Sequence, residues 1–333
     1  MKVGVIGAGS WGTTLANVLA KKGYDVTLWV YEQDLAARLS ETRINDLYLD
    51  GVSLSPNLSY TNDLADAVQG RQALVLVSPS QVMRPVLKQL KPYLADDCLL
   101  VSAAKGIEND TLLTMSEVLQ EVLGKDVKQR SAFLSGPSFA KEVAEEQPTA
   151  VAVAGDDDEV TCRVQELFSA NYFRVYTNTD VVGIEIGGAL KNVIALAAGV
   201  ADGLGFNHNA RAALITRGLA EITRLGVALG AQEATFLGLA GMGDLVLTCT
   251  GELSRNRSVG IELGRGRKLD EILNHMRMVA EGVKTTLSAY QLATKLGVAM
   301  PITEQMYQIL YEDKDPQQAV AELMSRDLSA EGE

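Results

Sequence analysis

In the stretch Gly187-Gly188-Ala189-Leu190-Lys191-Asn192-Val193-Ile194-Ala195-Leu196-Ala197-Ala198-Gly199, Lys191 and Asn192 are the only polar side chains, and they are adjacent. A helix that is apolar on every face is buried. An ammonium buried without a partner is costly and loses its proton more readily. Lys191 must therefore reach a cavity, a counter-ion or a substrate, and it is the candidate proton-transfer group. The competing reading is a lysine whose head snorkels to surface water. Asn192 beside it would orient a ligand or bond backbone. Further on, Leu239-Ala240-Gly241-Met242-Gly243-Asp244 reads as a small-residue loop ending in a carboxylate, followed by Thr248 and then by Ser254-Arg255-Asn256-Arg257. A guanidinium flanked by a hydroxyl and an amide suits a phosphate, because it is always charged and donates two parallel bonds. Against that stands an ordinary solvated pair, Arg255 and Arg257, at a helix start.

A second chemistry is legible at the start of the chain. Gly7-Ala8-Gly9-Ser10-Trp11-Gly12 is a G-x-G-x-x-G placed directly after a predicted strand and before a predicted helix, the context that makes it a dinucleotide-binding turn. Gly7 would permit the tight turn, Gly9 the approach of backbone to a pyrophosphate, and Gly12 the close packing of helix on strand. The N-terminus of the helix that follows would supply unpaired N–H groups and a positive dipole end to the phosphates. The second strand runs out at Tyr31-Glu32, with Glu32 20 residues beyond Gly12. A carboxylate there can accept bonds from the adenosine ribose and would repel a 2′-phosphate, which favours NAD over NADP. Glu32 could equally be a helix N-terminal carboxylate exposed to water, and Arg38 or Arg43 could still contact a phosphate. Ser102-Ala103-Ala104-Lys105-Gly106 and Gly136-Pro137-Ser138-Phe139-Ala140 each follow a predicted strand at its carboxyl end, where open α/β sheets place ligands.

These residues need elements to hold them. The first half alternates short apolar runs with amphipathic stretches, as in a mostly parallel sheet covered by helices on both faces. The expected strands are 2–6, 25–29, 73–77, 98–102, 131–134, 150–154 and 173–176. The intervening helices are expected at 11–21, 33–40, 80–90, 112–123 and 158–169. From about Asp180 strand-like runs become rare, and helices are expected at 181–201, 210–229, 257–263, 283–296, 301–311 and 317–323. The sequence thus predicts an α/β Rossmann-like domain over residues 1–179, followed by an all-α substrate and catalytic domain over 180–333.

Composition excludes several other functions. The 333 residues carry 30 Lys and Arg against 42 Asp and Glu, a formal charge of −12. That balance opposes nucleic acid or an anionic membrane as a general partner. Two histidines, His208 and His275, are too few and too scattered for a metal site, and no metal is expected. Cys98, Cys162 and Cys249 form no CxxC pair and read as reduced thiols of a cytoplasmic protein. No secretory signal opens the sequence, and the apolar stretch 181–200 is interrupted by Glu185, Lys191 and Asn192, against stable membrane insertion. The apolar helical half makes a homodimer the expected assembly.

Together the motifs resemble the NAD(P)-dependent glycerol-3-phosphate dehydrogenases of the bacterial cytosolic type. The resemblance is carried by an ordered series over most of the chain. It comprises Gly-Ala-Gly-Ser-Trp-Gly at 7–12, Ala-Ala-Lys-Gly at 103–106, Ser-Gly-Pro-Ser-Phe-Ala at 135–140 and Gly-Ala-Leu-Lys-Asn-Val at 188–193. Gly-Met-Gly-Asp-Leu at 241–245, Thr-Cys at 248–249, Ser-Arg-Asn at 254–256 and Val-Ala-Glu-Gly at 279–282 complete it. It implies reversible hydride transfer between NAD(P)H and C2 of dihydroxyacetone phosphate, giving sn-glycerol 3-phosphate, a precursor of glycerophospholipids. It also implies that Ser10, Trp11, Lys105, Ala140, Arg255, Val279 and Glu281 contact the dinucleotide. Lys105, Gly136, Ser138, Lys191, Asp244, Ser254, Arg255 and Asn256 would surround the substrate, with Asn192 and Thr248 beside them; Lys191 would exchange the proton, and Asp244 and Asn192 would position the lysine or the substrate hydroxyl. The sequence departs from the family pattern at Tyr31-Glu32, where many members carry a basic residue or histidine, and at Asn209-Ala210-Arg211, where many have Asn-Thr-Lys. Two alternatives stay open on the residues alone: another β-hydroxyacid or sugar-nucleotide dehydrogenase of the same plan, and a non-catalytic dinucleotide sensor. A thiol mechanism would need a reactive Cys249, whose apolar setting reads instead as inert.

Overall fold

The computed structural model describes residues 1–276, 280–328 and 330. The first half runs β1 (Lys2–Ile6), α1 (Ser10–Lys21), β2 (Asp25–Trp29), α2 (Gln33–Thr42), β3 (Leu58–Thr61), α3 (Leu64–Val68), β4 (Ala73–Leu76), α4 (Met83–Leu90) and β5 (Leu99–Ser102). It continues with α5 (Met115–Leu123), β6 (Ser131–Ser135), α6 (Ala140–Ala144), β7 (Thr149–Gly155), α7 (Asp158–Phe168) and β8 (Phe173–Asn178). The eight strands form one sheet in the order β3-β2-β1-β4-β5-β6-β7-β8. Neighbours are parallel, with Val5 beside Leu28 and Val75, except for the antiparallel β6 and β7, where Leu134 faces Val153.

The unbroken apolar runs of these strands have a simple cause. Val3, Val5, Val75 and Val101 enter the core on one face with Leu15 and Leu19 of α1. Ile6, Leu74, Leu76 and Leu100 enter the other with Met83, Leu87 and Leu119 of α4 and α5. A parallel sheet covered on both sides has no polar face to show. Because β2 and β4 flank β1, the chain leaves β1 and β4 in opposite directions, and a crevice opens at their carboxyl ends, the topological switch point.

The second half is helical: α8 (Val181–Gly203), α9 (His208–Ala228), α10 (Glu233–Phe236), α11 (Asp244–Thr250), α12 (Arg255–Gly264), α13 (Leu269–Asn274), α14 (Glu281–Leu296), α15 (Pro301–Tyr311) and α16 (Pro316–Met324). Its core surrounds α8, whose Leu190, Val193, Ile194 and Leu196 pack with Ile222, Leu225, Val259, Leu292 and Met306. Helix α8 is long and apolar enough to cross a membrane, yet 83% of its most apolar window is buried inside the fold. Its first turns also join the two halves, since Ile184 belongs to the core under the sheet. Helices α8 and α12 meet backbone to backbone: a Cβ at Gly199 would stand 2.1 Å from the Arg257 carbonyl, and one at Gly260 the same distance from that of Leu196. That contact sets the start of α12 beside Lys191 and Asn192.

The structure corrects the sequence reading in several places. Strand β3, Leu-Ser-Tyr-Thr, was not expected; it is an edge strand with one buried residue, Leu58, so it carries no apolar run. The short helices α3, α6, α10, α11 and α13 are not among the expected elements. Helix α5 begins at Met115 rather than Leu112, because Leu112 stands at φ +60° outside the helix and Thr114 closes a capping box with Glu117. Helix α9 starts at His208 and α12 at Arg255, each two residues before the expected start.

Candidate active site

The turn after β1 is shaped by its glycines. Gly7 has φ +115°, and a Cβ on Gly12 would stand 1.9 Å from the Gly7 carbonyl, so turn and helix can close only without side chains. Gly9 differs: its Cβ would meet nothing within 4 Å, so no protein packing demands a glycine there. What that position leaves room for is a group from outside. Helix α1 begins with no side-chain cap and no acidic residue in its first turn, which leaves its positive end open. Buried Asn45 braces the loop, donating to the Ala8 carbonyl at 2.9 Å and to Thr13 Oγ1 at 2.8 Å. Trp11 packs 6.3 Å from the ring of Phe173, and its Nε1 is enclosed without a protein partner. Ala140 opens α6, and its carbonyl accepts from Thr14 Oγ1 of α1 at 3.0 Å. These features fit a dinucleotide pyrophosphate.

Beyond the turn, Glu32 takes the N-cap position of α2 without capping it, and accepts a 2.6 Å hydrogen bond from the Tyr48 hydroxyl. Tyr31 is largely exposed, its ring edge-on to Trp29. The two nearby cations are occupied. Arg38 is paired with Asp34 and Asp46, and Arg43 donates to the carbonyls of Ser55 and Leu58.

The lysine of the apolar helix does not snorkel. Lys191 is 8% exposed and Asp244 is 0% exposed, and the Lys191 ammonium donates directly to Asp244 Oδ1. The other oxygen, Oδ2, accepts from Lys105 Nζ at 2.6 Å, so one carboxylate holds two ammonium groups that the chain brings from both halves. Lys105 also donates to the Gly136 carbonyl at 3.2 Å, which in turn accepts from Ser138 Oγ at 2.9 Å. Asp244 is not the end of a loop but the first residue of α11, delivered by a π-helical turn over Leu239–Gly243. That turn lies against Gly187 of α8, where a Cβ would stand 2.6 Å from the Ala240 carbonyl. Thr248, one turn on, donates to the Asp244 carbonyl at 2.6 Å and lies 3.4 Å from Oδ1. Burial lowers the Lys191 pKa to about 8; the Asp244 charge opposes the shift and the Lys105 charge adds to it.

The remaining polar groups lie around this centre. Asn256 Nδ2 donates to Asn192 Oδ1 at 2.9 Å, and Asn256 Oδ1 accepts from the Gly282 backbone at 3.0 Å. Ser254 Oγ caps α12 by accepting from the Arg257 backbone. Arg255 is exposed at the start of the same helix. Glu281 opens α14; burial raises its pKa, while the charges of Arg255, Lys105 and Lys191 pull it down, which places all four side chains within electrostatic reach. Val279 lies outside the described residues. Arg257 turns away to Asp202, which also holds Arg211. The sequence reading missed Asp202, because its partners lie 9 and 55 residues away. Burial raises the Cys249 thiol to about 12, so it is no nucleophile at neutral pH. Among the described residues, no group of three His, Cys, Asp or Glu side chains could hold a metal ion.

A Rossmann-type sheet with a glycine turn at its switch point, joined to a helical half that carries a buried lysine, is the plan of a nicotinamide-dependent dehydrogenase. Comparison with known proteins agrees. Residues 2–161 match the N-terminal family model of NAD-dependent glycerol-3-phosphate dehydrogenase, and residues 180–321 match its C-terminal model. The chain is 66% identical over 331 residues to a glycerol-3-phosphate dehydrogenase (NAD(P)+) of Syntrophotalea carbinolica, covering 99% of both chains. It is likewise 66% identical to one of Geobacter metallireducens, covering 99% of this chain and 98% of that one. The crystal structure of glycerol-3-phosphate dehydrogenase from Coxiella burnetii superposes with a TM-score of 0.94 at 40% identity, covering 98% of this chain and 99% of the other. The chain belongs to the NAD-dependent glycerol-3-phosphate dehydrogenase family.

Proposed function

We propose that the chain interconverts dihydroxyacetone phosphate and sn-glycerol 3-phosphate with a nicotinamide cofactor, supplying the glycerol phosphate that glycerophospholipids need. The observation that carries this reading is the Lys191–Asp244–Lys105 bridge, a buried proton donor held by one carboxylate where the two halves meet. Bound NAD(P)H would supply the hydride to C2. Lys191 then donates its proton to the developing alkoxide, and its charge stabilises that oxygen before the transfer. A pKa of about 8 keeps Lys191 an acid at neutral pH while making the proton easy to give. Asp244 fixes the direction of both ammonium groups, and Thr248 fixes Asp244.

Arg255, with Ser254 and Asn256 at the start of α12, is assigned to the substrate phosphate, with Asn192, next to Lys191 in sequence, held by Asn256. Gly136, Ser138 and Lys105 close the other side. Gly7, Gly9, Ser10, Trp11, Gly12, Tyr31, Glu32, Lys105, Ala140, Arg255 and Glu281 are assigned to the dinucleotide. Because Arg38 and Arg43 are already paired and Glu32 is a carboxylate, NADH is the preferred cofactor. We divide the chain into a dinucleotide domain, 1–179, and a helical domain, 180–333, and assign it a homodimeric, cytoplasmic existence. The test is an absorbance assay with dihydroxyacetone phosphate and either NADH or NADPH. Turnover with preference for NADH is expected; turnover of 3-hydroxyacids alone would refute the substrate assignment.

A further inference from the structure

A small cavity lies behind Lys105, lined by that residue together with Ser102, Ser135, Glu185 and Gly188. It offers about 10 Å³ to the centre of a water molecule, room for one. Three oxygens of these lining residues, Ser102 Oγ, Ser135 Oγ and Glu185 Oε2, are shut off from solvent and have no protein partner. Ser102 and Ser135 are 2% and 5% exposed. A buried oxygen without a hydrogen bond is costly, and three around one void can share a single partner.

The surroundings tie this void to the site. Ser102 ends β5, three residues before Lys105, and Ser135 ends β6 just before Gly136, whose carbonyl accepts from Lys105. Glu185 lies on α8, six residues before Lys191, and its Oε1 accepts from the Ser116 backbone of α5 at 2.9 Å. Between them, a Cβ on Gly188 would stand 2.5 Å from Ser135 Oγ and 3.6 Å from Lys105 Cγ, so the missing side chain is what lets both come close.

We propose that Ser102, Ser135 and Glu185 hold one internal water against Lys105, and that Glu185 is thereby a positioning residue for it. The water satisfies the three oxygens and backs the lysine stem, so that Nζ stays between Asp244 and the Gly136 carbonyl. Burial raises Glu185 to about 7, with hydrogen bonds from Ser116 and Thr114 lowering it and Glu117 raising it; protonated, Oε2 donates to the water, and ionised, it accepts from it. The functional consequence rests on the assignment of Lys105 to the substrate.

The test combines a high-resolution crystal structure with steady-state kinetics of Glu185→Ala, Glu185→Gln and Ser135→Val. Density for a water within hydrogen-bond reach of all three oxygens is expected; a dry cavity overturns the proposal. Glu185→Ala and Ser135→Val should raise KM for dihydroxyacetone phosphate about tenfold, the loss of one hydrogen bond's worth of positioning, with KM for NADH nearly unchanged. Glu185→Gln, which keeps an acceptor for Ser116 and a donor for the cavity, should restore the parental KM. Parental KM in Ser135→Val overturns the proposal, and so does a Glu185→Ala that melts earlier without changing KM, since that marks a mere anchor for α5. Should Glu185→Ala not fold, Ser135→Val decides alone. If the wild type does not turn over dihydroxyacetone phosphate, the functional reading fails separately. The Lys105 Nζ position in Ser135→Val crystals then decides: displaced from Asp244 supports the water's role, unmoved overturns it.

Discussion

Lys191 illustrates what a single residue type in an apolar context discloses and what it leaves out. That an ammonium in an all-apolar helix needs a partner follows from desolvation. Which partner it has does not, because Asp244 lies 53 residues downstream and Lys105 reaches the same carboxylate from 139 residues upstream. Replacing Lys191 by Met should leave dinucleotide binding intact by fluorescence titration and reduce turnover about a thousandfold, the usual worth of a positioned acid. The Asp244 charge holds the Lys191 pKa up against burial. Reduction needs the ammonium, so wild-type kcat/KM should hold at neutral pH and fall as pH rises through about 8. Asp244→Asn should move that fall to lower pH; an unmoved or raised midpoint would remove Asp244 from control of the lysine. Glu185 shows the limit of reading by residue type: the sequence marks it as an interruption of an apolar run, and its orphaned oxygen appears only once β5, β6 and α8 are assembled.

At the scale of elements, the strands and long helices were legible wherever burial was two-faced or periodic. Short pieces such as β3 and α11 were not, because an edge strand with one buried residue, or a seven-residue helix entered from a π-turn, imposes no repeating pattern. The glycine turn was legible, and the structure separates its roles. Gly12→Ala places a Cβ 1.9 Å from a carbonyl and should lower the melting temperature. Gly9→Ala meets no protein atom and should melt like wild type, yet weaken NADH binding about tenfold or more because the backbone can no longer approach the phosphates. If both variants lose stability equally, Gly9 has a packing role instead. Glu221 of α9 is a purely structural counterpart, accepting from the Ile302 and Thr303 backbones at the start of α15. Glu221→Ala orphans those buried donors and should cost about 1–3 kcal/mol by urea unfolding. Burial raises its carboxyl from 4.5 to about 7, so the native state binds the extra proton and this group's stabilisation, complete below pH 4.5, is lost as pH rises through about 7. Glu221→Gln should therefore flatten the decline of stability over that window; an unaltered slope would refute the assignment.

For the whole molecule, a charge of −12 proves compatible with membership of a family of NAD-dependent enzymes acting on a phosphate ester, and Lys105 and Lys191 converge on one carboxylate despite the acidic total. The two-part organisation was legible as a change from alternating runs to helices alone. The way α8 joins the parts, with Ile184 under the sheet and Ile194 among the helices, was not, since one continuous apolar pattern serves both cores. Sedimentation should report a particle of twice the 35.7 kDa chain, and a monomer would contradict the homodimer assignment. The function rests on one proposed step, protonation of the C2 oxygen of dihydroxyacetone phosphate by Lys191 as hydride arrives from the cofactor. Its most direct test is NADH consumption by wild type and Lys191→Met with that substrate in parallel. Substrate-dependent consumption by the wild type and almost none by the variant is expected; a wild type inert toward dihydroxyacetone phosphate, or a variant as fast as the wild type, would refute the step.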